Sequence, residues 1–84
     1  MVETRIGRVV KYFSKIGVAA IRLEGNLQVG DTIHIQGHTT DFAQSIDSMQ
    51  LENQAVEGAG PGDDIGIKVT GRVREHDTVY KVNP

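Results

Sequence analysis

The chain contains no cysteine and no tryptophan, and only two prolines, two tyrosines and two phenylalanines among its 84 residues. Without cysteine there is no disulfide and no thiolate-held zinc, so packing alone must hold a domain too small for two cores. Leucine and alanine are scarce as well, three and five residues, against ten valines and eight isoleucines. Stiff β-branched side chains suit a pleated sheet, which argues against a helical bundle. The longest unbroken apolar stretch, Ile16 to Ile21, falls far short of the roughly 20 residues that cross a bilayer. The start, Met1-Val2-Glu3-Thr4-Arg5, lacks the apolar core of a signal peptide, so the expected compartment is the cytoplasm. No glycine-rich segment ends in Lys-Ser or Lys-Thr, so the chain has no loop to cradle a triphosphate and is not a GTPase on its own.

What is abundant is glycine, ten residues in 84, above the usual share of about 7%. Turn chemistry recurs at Glu24-Gly25-Asn26, Val29-Gly30-Asp31, Gly58 to Asp63 and Gly71-Arg72. Between these turns lie Thr4–Phe13, Val18–Leu23, Thr32–Gln36, Asp64–Val69 and Thr78–Val82, all read as strands. Alternation puts Ala19, Ile21 and Leu23 on one face, as it does Ile33 and Ile35, with His34 outward. The segment Asp41–Glu52 is open between two readings. Phe42, Ile46 and Met49 have helical spacing, whereas a strand there needs a bulge near Asp47-Ser48 to bring Met49 and Leu51 onto the face of Phe42 and Ile46.

Net charge is −2, and its distribution is uneven. Residues 1–22 hold five bases and one acid, residues 23–66 hold eight acids and no Lys or Arg, and residues 67–84 hold four bases and two acids. Two basic ends thus flank an acidic middle.

The order of turns carries a resemblance. Leu23 to Ile33, with the turns at Glu24-Gly25-Asn26 and Val29-Gly30-Asp31, resembles the strand–turn–strand signature of domain II of translational GTPases. Ser48 to Val56 followed by Ala59 to Ile67 is similar to the second half of that domain. Tyr12 to Ala19 and Gly37 to Phe42 resemble stand-alone translation elongation factor-like proteins of prokaryotes. A related barrel ends the collagenase-like peptidases, several of which are associated with RNA modification. The resemblance implies an all-β fold, a small six-stranded closed β-barrel of the translation-factor domain II type, with residues 1–84 as a single domain. It also favours the strand reading of Asp41–Glu52.

The resemblance implies a non-catalytic binding module with no cofactor and no metal. Expected partners are RNA, either tRNA or rRNA, or an RNA-processing protein. The alternative is a protein-interaction module that supplies the barrel in trans to a collagenase-like peptidase partner. First and last strands lying side by side would let Arg5, Arg8, Lys11 and Lys15 share a face with Arg72, Arg74 and Lys81, with Tyr12 and Tyr80 as stacking surface. The competing reading is a solvated charged surface. The Gly37–Asp41 loop adds His38, Thr39 and Thr40, as groups for a phosphate or a partner's backbone or as a simple hydroxyl-capped turn. Asp31 and Asp63 read as turn residues, and the three histidines have no metal-ligand spacing.

Overall fold

A computed structural model describes residues 2–83, and no helix occurs among them. The strands are β1 (Val2–Phe13), β2 (Val18–Leu23), β3 (Leu27–Gln28), β4 (Thr32–Gln36), β5 (Asp41–Ser45), β6 (Met49–Leu51), β7 (Gln54–Val56), β8 (Gly58–Ala59), β9 (Asp64–Lys68) and β10 (Thr78–Asn83). Eight of them form one antiparallel sheet in the order β5-β4-β10-β1-β2-β9-β6-β7, and β3 pairs with β8 separately. Each expected strand is present. Asp41–Glu52 is extended and broken at Ile46–Ser48, where the parity of Phe42 and Met49 required an irregularity. The additional elements β3, β7 and β8 are two or three residues long, too short to show a period.

The sheet curls around one core. Val9, Ile21, Ile33, Ile35, Met49, Ile65, Ile67 and Val79 come from six strands, and all belong to a single buried cluster. Val73 closes it from the loop between β9 and β10. The expected closed barrel is not formed: the strand order is linear, with edges at β5 and β7. At β5 a side chain does what a ladder would do. The Gln44 amide donates to the Lys68 carbonyl at 2.8 Å, and its oxygen accepts from the Thr70 amide at 2.8 Å. Gln44 thereby satisfies backbone groups just where β9 ends, spanning a gap that no strand pairing crosses.

Three turns share one construction. Asp31, Asp63 and Asp77 each accept, at 3.0, 2.9 and 2.8 Å, from the amide three residues earlier, and each returns its own amide to that residue's carbonyl. The residue before each Asp has positive φ: Gly30 at 98°, Gly62 at 89° and His76 at 75°. Each turn launches a strand, β4, β9 or β10. Asp31 and Asp63 are thus turn residues, as their sequence context indicated.

Strand β1 is irregular twice. Its register shifts between Arg5 and Gly7 against β10, and between Val9 and Lys11 against β2. Each bulge adds a residue, so Arg5, Arg8 and Lys11, at intervals of three, all face outward instead of alternating. Gly7, at the first bulge, lets β1 approach β2 closely, since a Cβ there would lie 2.5 Å from the Arg22 carbonyl oxygen and 3.1 Å from Ile21 Cγ2. Gly7→Ala is expected to lower unfolding stability by about 1–3 kcal/mol in a urea titration; a midpoint equal to that of the parent would contradict this role.

Candidate functional site

The acidic middle folds back on the basic ends. Arg5 pairs with Glu24 at 3.4 Å, Lys81 with Asp31 at 3.4 Å, and Arg22 grips Asp64 through two nitrogens at 2.9 and 3.2 Å. That bidentate contact holds the Asp64 carboxyl below its ordinary range and raises the Arg22 guanidinium further. Such exposed pairs stabilise little, but they neutralise charge locally. Among the described residues, Arg8, Lys11, Lys15, Lys68, Arg72 and Arg74 make no ion pair.

The single basic face expected from the sequence is divided by the register. β1 and β10 do lie side by side. Lys81, however, stands opposite Thr4 and Ile33, on the inward parity of β10, and is held by Asp31. Arg5 is occupied by Glu24. Tyr12 packs against the core, and Tyr80 lies beside the His34 ring with centroids 6.1 Å apart. Thr40 is buried, and its carbonyl accepts from the Gly37 amide at 2.7 Å, so it is part of a closed turn and not a contact group.

Of the remaining expected residues, Arg8 and Lys11 stay on the outer face of β1, while Lys15, Arg72 and Arg74 fall at one end of the sheet, joined there by Lys68. Backbone bonds tie three segments there: the Val69 amide to Gly17 O at 2.9 Å, and the His76 amide to Val9 O at 2.8 Å. The third segment packs Gly37 so tightly on Asp77 that a Cβ would collide with its carboxylate. Lys15, Lys68, Arg72 and Arg74 therefore surround this end with exposed His38, Thr39 and His76. His76 stands in the left-handed conformation that glycine takes in the two sister turns, a placement that costs a side-chain-bearing residue about 1 kcal/mol or more.

Three-dimensional pairing also reveals a cluster with no spacing signal. Nδ1 of His34 lies 2.8 Å from Oε1 of Glu3, and Nε2 lies 2.5 Å from Oδ1 of Asp41, so β4 is clasped to β1 and β5 across the outer face. The bonds to Asp41 and then Glu3 raise the His34 pKa above its ordinary value, against the opposing effect of burial. With both ring nitrogens engaged by carboxylates, His34 has no free lone pair for a substrate proton or a metal. No group of ligating side chains suitable for a metal occurs among the described residues.

A shallow apolar groove of about 380 Å³ crosses the outer face of β1, β2, β9 and β6, with Ala20 and Gly66 among its lining residues and Phe13 and Ile16 at its rim. Phe13 is 42% exposed and Ile16 63%. The outward position of Gly66 between Ile65 and Ile67 was legible in the alternation; the pairing that sets it beside Ala20 was not.

Fold and surface together define an all-β, barrel-like domain with a charged end and an apolar groove. No family model matches the chain. It is 45% identical over 79 residues to an uncharacterized protease, MJ0090, of Methanocaldococcus jannaschii, a match covering 93% of this chain and 19% of that protein. A collagenase of Porphyromonas gingivalis is 41% identical over 81 residues, 94% of this chain and 22% of that one. The chain thus spans about a fifth of the length of these curated relatives. In structure it matches the C-terminal domain of a Geobacillus thermoleovorans putative U32 peptidase, with a TM-score of 0.89 and 22% identity over 95% of this chain and 93% of that one. The fold is therefore that of the C-terminal domain of this U32 protein. The resemblance to elongation factor-like proteins gains no support from these relatives.

The raised His34 pKa has a defined pH signature. Stability from the clasp is fully present below the unfolded-state value near 6.5 and is lost as pH rises through the higher folded value. His34→Gln is therefore expected to cost most stability near pH 6 and progressively less above pH 7 in parallel denaturant titrations. A stability difference that stays constant, or grows, across that range would contradict the clasp.

Proposed function

We propose that the chain is a non-catalytic β-domain that associates with a collagenase-like peptidase and supplies in trans a β-domain of the kind found at the C-terminus of the U32 protein. The supporting observation is one of proportion: nearly all of this chain aligns with about a fifth of an uncharacterized protease and of a collagenase. Affinity purification of the tagged chain from its source organism is expected to retain a collagenase-like peptidase after nuclease treatment. Recovery of no such protein would refute the reading.

A second reading rests on the unpaired cations gathered at one end. In it Lys15, Lys68, Arg72 and Arg74, with His38 and Thr39, hold the phosphates of tRNA or rRNA. Four phosphate contacts to a single strand imply a log–log salt slope near −3 and roughly 50-fold weaker binding at 200 mM than at 50 mM salt. The Arg72→Glu/Arg74→Glu double variant should flatten that slope in a filter-binding titration. Absence of binding by the parent at 50 mM salt would eliminate this reading.

A further inference from the structure

We infer that the groove between Phe13 and Gly66 is the surface on which the peptidase partner docks, through a short apolar segment flanked by an acid and a base; the inference rests on the association proposed above. The key residue is Gly66. Gly7 is imposed by a backbone collision, and Gly17, Gly30 and Gly62 by positive φ. Gly66 has neither constraint: a Cβ there would make an ordinary contact, 3.5 Å from Val18 Cγ1. Glycine inside a strand weakens it and is found at bulges, at tight bends and where a ligand or another backbone approaches closely, and no register shift interrupts the pairing at Gly66. The fold does not need this residue to be small, but the groove does.

The register shows how the groove is built. Lys11, Ala20, Gly66 and Gln50 form one outward row across four strands. One neighbouring row contains Phe13, Val18 and Lys68, and the other Arg8, Arg22 and Asp64. The central positions of the middle row carry almost no side chain, leaving a trough about 14 Å long, three strand spacings. Phe13, Ile16 and Val18 border it on one side, where Phe13 and Ile16 are exposed, and Lys68 ends that row. The Arg22–Asp64 pair borders the other and is internally neutral. Lys11, seated 5.2 Å from the centre of the Phe13 ring, gives one end a positive charge. Glu52, on the β6–β7 turn, gives the other end a negative charge. An apolar segment with an acid toward Lys11 and a base toward Glu52 complements this surface in both shape and charge.

The test uses the full chain and the full-length peptidase that co-purifies with it. Ile16→Asp and Gly66→Val are each expected to weaken binding at least tenfold by calorimetry, with the melting temperature of Gly66→Val at or above that of the parent. Arg72→Glu/Arg74→Glu is expected to bind like the parent. Parent-like affinity of both groove variants, or loss of binding only in the arginine variant, would overturn the groove assignment and leave the association intact. Sedimentation showing that the groove instead joins two copies of this chain, with Ile16→Asp monomeric, would also overturn it. Failure of the parent chain to retain any such peptidase would overturn both the association and the groove assignment.

Discussion

Much of the structure depends on one steric constraint, the approach of Gly7 to the Arg22 carbonyl inside the bulged strand β1. β1 is the long central strand, paired with β10 on one side and β2 on the other. A regular strand of its length would send Arg5 and Arg8 to opposite faces and Lys11 back again. Two bulges instead keep all three outward, while Ile6 and Val9 remain in the core. The same irregularities increase local twist, which helps a sheet of eight strands wrap around a single apolar cluster. The outer charge pattern and the inner packing therefore share one cause.

Electrostatics follows from that frame. The acidic middle segment is not a separate acidic face. Glu24, Asp31 and Asp64 each meet a cation from β1, β10 or β2, and Asp41 meets His34. Among the described residues, Lys15 in the β1–β2 turn and Arg72 and Arg74 in the loop before β10, all at one end of the sheet, make no ion pair, and neither do the surface acids Asp47, Glu52, Glu57 and Glu75. The groove lies beside this end but is chemically distinct from it, with an apolar floor and opposite charges at its two ends. A β-domain that accompanies a larger protein has a use for such a surface, because a docking contact buries apolar area while flanking charges set its orientation.

Much of the fold was legible in the residues. Alternation in Val18–Leu23, Thr32–Gln36 and Asp64–Lys68 gave both strands and faces, since side-chain direction in a strand has a period of two. The Asp turns were legible because glycine before aspartate has a local chemical meaning. Glu75-His76-Asp77 is also legible as a turn, but not as a third copy of this construction, because His76 occupies the glycine position. Closure is not legible in the residues: a count of strands does not reveal that Gln44 replaces the ladder between β5 and the end of β9. Charge suggests Lys81 for a binding face and a hydroxyl suggests Thr40 for a binding loop, but the register that turns Lys81 to Asp31 and the burial of Thr40 are not visible in a sequence.

The sequence by itself determined the class of this protein. Its β-branched excess, its glycine-rich turns and its want of cysteine leave a small sheet domain held by packing, because these are local preferences that each residue carries wherever it sits. Its two basic ends and acidic middle were equally plain, but their meaning was not. Whether opposite charges cancel or gather depends on which strands become neighbours, a non-local property set by pairing register and by two bulges. Only the tertiary structure joined Arg5 to Glu24 and His34 to Glu3 and Asp41, left Arg72 and Arg74 unpaired, and laid Gly66 beside Ala20 to open a groove.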